Sequence, residues 1–274
     1  YSLSALFEKS FHFGLDLAAS YTFGHSKSVY DGTSSVAYSN WKYNYAVDSN
    51  NPGLAYSMFD IPHRVMVSVG YRTPRYAKGF MATTVSLVYN GYVGQRYSLT
   101  MNESYYDAEK KKTVYIDYNG DGWGGNSLLY IPTEDELQKM DFKTEEDRRK
   151  FDEWIEGDSY AKKHRGAYAM RNSNSAPWEN RVDLHVAQDI FVLKDRGSKF
   201  QVTFDVTNFA NMLNKKWGTT YTAAYNVMPL QVIGSKKGED GNYTNTYAYN
   251  SRNTITKNDV LSRWHAQIGF KYIF

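Results

Sequence analysis

Asp117, Asn119 and Asp121 put oxygen-bearing side chains at alternate positions of the run DYNGDGW (117–123), Gly122 allows a sharp turn, and Trp123 offers its main-chain carbonyl. That pattern is the first half of a loop for a hard cation such as calcium, which takes roughly six or more oxygen ligands. The second half departs from it. Leu128 stands where a bidentate acid is needed, so Asn126 or the more distant Glu134 or Asp135 would have to complete the shell. The same residues also suit a hydrated Asn-Gly and Asp-Gly turn. Elsewhere His12, His25, His63, His164, His185 and His265 form no HExxH and no closely spaced ligand pair. Patterns for a serine nucleophile elbow, a dinucleotide loop or a phosphate loop are absent, so no enzyme is expected and calcium is the only candidate cofactor. Arg64, Arg72, Arg181, Asp183 and His185 each alternate with apolar neighbours. They are expected to line a hydrated passage or to bond one another as a wall lattice.

These side chains sit in segments of period two, the strand signature. In 12–23 one face reads Phe13, Leu15, Leu17, Ala19, Tyr21, Phe23 and the other His12, Gly14, Asp16, Ala18, Ser20, Thr22. The split recurs around Val65–Val69, Val85–Tyr89, Val182–Val192, Phe200–Val206 and Trp264–Phe274. A soluble sandwich alternates too, but these runs reach about ten residues, the length that crosses a bilayer when tilted. Aromatic residues, 16% of the 274, gather at their ends: Tyr21, Phe23, Tyr71, Tyr89, Tyr92, Trp178, Trp264, Tyr272 and Phe274. Amphipathic rings concentrate at membrane interfaces. The apolar face is therefore expected to meet lipid and the polar face a hydrated lumen.

Connections support the same reading. Short links fall at 9–11, 73–79 and 194–199, and long ones at 26–61, 96–177 and 234–263. Short and long alternate, as periplasmic turns and external loops do in outer-membrane barrels. Keeping that order requires one long ascending strand through Asn208 to Tyr221 and Tyr225, bent by a bulge or kink. The result is seven strands, the first descending. Bacterial barrels close with an even number, so the chain is expected to be the last seven or eight strands of something larger. The long 96–177 link should carry structure of its own. Thr133 with Glu136 opens a short helix over 133–140, and Thr144 with an acidic first turn opens another that Gly157 stops. Phe151, Trp154 and Ile155 on the second are expected to pack the loop onto itself.

A net charge of +3 is too small for a nucleic-acid footprint. No apolar run is long enough for a helical span, and mean hydropathy is −0.61. No intact signal peptide is present, so the chain is expected to be mature or a fragment. The absence of cysteine is compatible with a bacterial envelope.

The C-terminal stretch WHAQIGFKYIF (264–274) resembles the closing strand of TonB-dependent outer-membrane transporters, and VTNFANMLN (206–214) is similar to their penultimate-strand motif. FDIPHR (59–64), DYNGDG (117–122) followed by LLYIP (128–132), and RVDL (181–184) resemble the Oar-like, carboxypeptidase-regulatory-domain-bearing branch of Bacteroides relatives. The resemblance covers most of the chain. It implies a barrel of about 22 strands with an N-terminal plug, energised by the TonB complex. Plug, TonB box and the other strands lie outside this sequence. It also implies that Phe274 is read by the barrel-assembly machinery, that lipid surrounds a multi-pass wall in the cell outer membrane, and that external loops capture a peptide or glycan cargo, with a surface lipoprotein as a further partner. Two rivals stay open at this point: a complete barrel of about eight strands, adhesin or porin-like, if 208–217 is a turn, and a soluble all-β glycan-binding module.

Overall fold

The computed structural model describes residues 1–192, 198–222, 226–239, 241–251 and 255–274. Seven strands pair side by side in chain order as one antiparallel sheet: β1 (Ser2–Ser10), β2 (Leu15–Gly24), β3 (His63–Arg72), β4 (Met81–Tyr92), β5 (Glu179–Phe191), β6 (Lys199–Thr207) and β7 (His265–Ile273). The fold is all-β in its framework, with short helices confined to the long loops. Side chains directly opposite one another in an antiparallel ladder share a face, so register fixes both surfaces. One row across the sheet reads Leu17, Val69, Leu87, Leu184, Val206, Ala266. The next row reads Asp16, Gly70, Ser86, His185, Asp205, Gln267.

Short connections lie at one end of the sheet and long ones at the other. The first turn occupies 11–14, where the Phe11 N–H donates to the Leu15 carbonyl at 2.8 Å and the Gly14 N–H to the Phe11 carbonyl at 3.0 Å. The strand expected from residue 12 therefore begins at Leu15. Gly14 is required there, because its φ is +94° and a Cβ would lie 2.2 Å from the Arg72 carbonyl oxygen. The second turn spans 73–80. Most of the expected third link, 194–197, lies outside the described residues.

At the opposite end β6 does not continue upward as one strand. It stops at Asn208, whose φ of +56° breaks the extended backbone, and a short helix, Phe209–Leu213, follows. Asn208 Nδ2 donates to the carbonyls of Gly218 and Ser262, both at 2.7 Å, which fastens the break shut. Tyr221–Thr222 then pairs with Thr256–Lys257, resuming the β6–β7 hairpin above the interruption. Tyr225 lies outside the described residues. The segment 208–217 is thus a break within one hairpin, at the place where a bulge or kink is expected, and the turn that the eight-stranded alternative needs is not there. The third loop begins at Asn208 rather than near 234, since Leu230–Lys237 and Tyr243–Tyr249 form a hairpin away from the wall.

The three long loops fold together as a cap with its own core. Leu99, Leu129, Ile131, Phe151, Ile155 and Leu230 are buried in it. The first loop adds the helix α1 (Ala37–Lys42). In the second, α2 (Glu134–Lys139) opens at Thr133 with a reciprocal capping box, and α3 (Glu145–Gly157) opens at Thr144. Phe151 and Ile155 face the core, and Trp154 stacks on Phe151 with ring centroids 6.0 Å apart. Two parallel ladders join the loops: Asp141–Phe142 with Thr246–Tyr247, and Ser98–Leu99 with Asn226–Val227.

Candidate functional site

Arg64, Arg72, Arg181, Asp183 and His185 all lie on the polar face of the sheet. The structure brings them into local groups rather than one cluster. Near the turn end, Asp189 is almost wholly buried and accepts from Arg72 Nη2 at 2.7 Å, Lys199 Nζ at 2.7 Å and Gln201 Nε2 at 2.8 Å. Midway, His185 Nδ1 meets Asp205 across the β5–β6 ladder. Near the loop end, Arg64 Nε donates to Asn90 Oδ1 at 3.1 Å, Arg181 pairs with Asp183 at 3.4 Å, and Asp183 accepts the Asn208 N–H at 2.7 Å. Tyr92 also falls on this face, donating to Glu179 at 2.9 Å, so it is no part of the aromatic ends of the apolar side. Asp189 shares the polar alternation of its strand, but nothing in the sequence marks it as the centre of a group.

Two ion-pair clamps tie the first loop to the second. Asp60 Oδ2 accepts from Arg96 Nη2 at 2.7 Å and Nε at 3.0 Å, and faces His25 Nδ1 at 3.2 Å, while its Oδ1 takes the Ser26 N–H at 2.6 Å. Both partners are buried, at 2% and 7% exposure. Burial pushes the Asp60 carboxyl up, but the Ser26 N–H, Arg96 and His25 outweigh it and hold the group below the usual carboxylate range. Arg171, buried in its turn, donates to Asn44 Oδ1 at 2.7 Å and Asp31 Oδ2 at 3.2 Å. Arg96 and Arg171 line a cavity of 390 Å³ with Asp31, Asn44 and Tyr43. A second cavity of 400 Å³ has four tyrosines in its wall, Tyr118, Tyr130, Tyr168 and Tyr247. Both volumes fall in the range of small-molecule sites, about 300–1,000 Å³.

The 117–123 loop is folded on its own hydrogen bonds. Asp117 takes the N–H groups of Asp121 and Gly122, and Asp121 takes Ser49 Oγ, Asn126 Nδ2 at 2.7 Å and the Trp123 N–H at 2.7 Å. Burial raises the Asp121 carboxyl, yet Ser49, Asn126 and the Trp123 N–H prevail and keep it below the usual range. Asn126, expected to complete a calcium shell with oxygen, turns its amide nitrogen to Asp121 instead. Asn119 Oδ1 is the one side-chain oxygen of Asp117, Asn119 and Asp121 that is buried without a donor. Among the described residues no three His, Asp or Glu side chains converge as a metal site.

On the other face of the sheet, large apolar side chains stand uncovered: Leu3, Phe7, Leu87, Phe204, Ile268 and Phe270. Aromatic groups close both ends of it. Phe200 and Tyr272 lie 4.9 Å apart at the turn end, and Tyr21 hydrogen-bonds His63 at 2.7 Å at the loop end. A wall apolar on one side, hydrogen-bonded on the other and capped at one end is the cross-section of an outer-membrane barrel. The family described as outer membrane beta barrel domain matches residues 1–263. The chain belongs to that family. No curated protein and no solved structure matches it. As an outer membrane beta barrel domain it is a multi-pass protein of the cell outer membrane, and the soluble-module reading falls. Its uncovered apolar face lies opposite the hydrogen-bonded polar face, with the short turns at one end of the sheet and the cap at the other.

Proposed function

We propose that the chain forms part of the wall and the external cap of an energised receptor, a TonB-dependent transporter that captures cargo at the surface and passes it through a plugged lumen. The observation that carries this reading is the cap. Loops that only joined strands would not need a buried core, two ion-pair clamps and two cavities. The resemblance of 206–214 and 264–274 to the last strands of such transporters points the same way. The free edges of β1 and β7 add support: seven strands leave two unpaired edges among the described residues. Unpaired backbone in hydrocarbon costs several kcal/mol per group, a cost that further strands closing the wall would remove. The barrel-assembly machinery would then read Phe274, which is 96% exposed.

The wall takes no covalent part in this mechanism. Its polar face hydrates the passage, and Asp183 and Asp189 on it are already engaged by Arg181, Arg72 and Lys199, which points to the cap for selectivity. Cells carrying the native full-length protein should accumulate fluorescein-labelled casein peptides or labelled dextran, and a protonophore should abolish accumulation while surface binding persists. Accumulation unaffected by the protonophore would contradict energised transport and favour a passive pore.

A further inference from the structure

The tyrosine-walled cavity of the cap has a chemistry distinct from the clamp cavity. Tyr130 and Tyr168 meet at 5.2 Å with planes 66° apart, forming two walls of a box. Tyr118 and Tyr247 add two more phenol rings, and Glu136 stands at the rim. Its carboxylate is fixed by the Tyr130 hydroxyl, at 2.9 and 3.0 Å to its two oxygens, and by the Thr133 N–H at 2.8 Å. The Thr133 and Tyr130 donors hold the Glu136 carboxyl below its usual range, so it stays charged at neutral pH. The remaining lining is alkyl and thioether: Met101, Leu128, Pro132, Met140 and Leu230.

Aromatic rings set at an angle around a space, with a carboxylate beside them, attract a cation through the negative faces of the rings. An apolar lining suits the alkyl stem that carries such a cation. The surroundings carry the same sign: residues 134–158 hold 11 acidic and 5 basic side chains, net −6, in a chain whose total is +3. We propose that the cavity bounded by Tyr118, Tyr130, Tyr168, Tyr247 and Glu136 binds an alkylammonium group, the side chain of a peptide lysine or a free amine. The inference rests on the reading of the cap as the cargo-capture surface and names the chemistry of its cargo.

The test is calorimetric titration of the detergent-solubilised full-length protein with two matched pairs of probes: n-hexylammonium against 1-hexanol, and N-acetyl-Gly-Lys-Gly-amide against N-acetyl-Gly-norleucine-Gly-amide, in which only the lysine side chain carries a charge. Each cation should bind at least about tenfold more tightly than its neutral partner. Tyr168→Leu and Glu136→Gln should each weaken the cations about 2- to 30-fold, the span of a cation–π contact, whereas Tyr168→Phe, which keeps the ring, should change binding less than about twofold. Gln at 136 retains an acceptor for the Thr133 N–H, and Tyr168 is more than half exposed, so both variants should fold. Preference for the tripeptide assigns the cation to peptide cargo and preference for hexylammonium to a small amine, and both support the site. Equal binding of the neutral probes, no binding at all, or indifference to Tyr168→Leu would overturn it. If the cations bind as stated while cells show no energised accumulation, the transport reading fails and the site stands.

Discussion

At the scale of single residues, the strongest constraint is Asp60. It holds Arg96, His25 and the Ser26 N–H together where the first and second loops leave the wall. Removing one partner of a buried ion pair leaves the other charge uncompensated, at about 3–5 kcal/mol. Asp60→Asn should therefore loosen the cap, read as faster proteolysis of the 93–178 loop with the barrel still intact in detergent. The sign of the pH effect follows from its lowered folded value. The contribution is whole above the ordinary carboxylate value of about 3.9 and is lost only as pH falls through the lower folded value, so acid protease sensitivity should rise there in the native protein. In Asp60→Asn the loop should be sensitive at neutral pH already. A cap equally resistant in both proteins would remove Asp60 from this role. Asp60 was present in the FDIPHR piece, but its partners were not legible, because Arg96 lies 36 residues away and one loop must fold over another to reach it.

At the scale of the elements, alternation gave the two faces of the wall correctly, since a strand buries or exposes every second side chain whatever its neighbours are. The two helices of the second loop were legible for an equally local reason: Thr133 and Thr144 each cap their own backbone. What was not legible was non-local: a bend near Asn208 was expected, but not what holds it. The break at Asn208 depends on carbonyls of Gly218 and Ser262, and the small sheets of the cap are assembled from three loops far apart in sequence. The wall yields its own prediction. Leu184 and His185 are adjacent on β5 and face opposite ways. Leu184→Arg should cost about 2–4 kcal/mol of folding into lipid vesicles, as a charge facing the hydrocarbon does, while His185→Arg, beside Asp205 in the hydrated lumen, should cost far less. Equal penalties, measured by urea titration in the vesicles, would mean that the faces are wrongly assigned.

At the scale of the whole molecule, the parts agree on one polarity: an uncovered apolar side, a hydrogen-bonded polar side, turns at one end and a structured cap at the other. The sequence contains no cysteine, so single introduced thiols report position without background. Glu153 lies exposed on α3 in the cap, and Ala77 lies exposed in the turn between β3 and β4. The deciding measurement labels intact cells with a maleimide too large to pass porins, using Glu153→Cys and Ala77→Cys in the full-length protein. Glu153→Cys should react on intact cells and Ala77→Cys only after the outer membrane is permeabilised. Reaction of Ala77→Cys on intact cells with Glu153→Cys protected would invert the orientation, and with it the assignment of the cap as a surface that captures cargo.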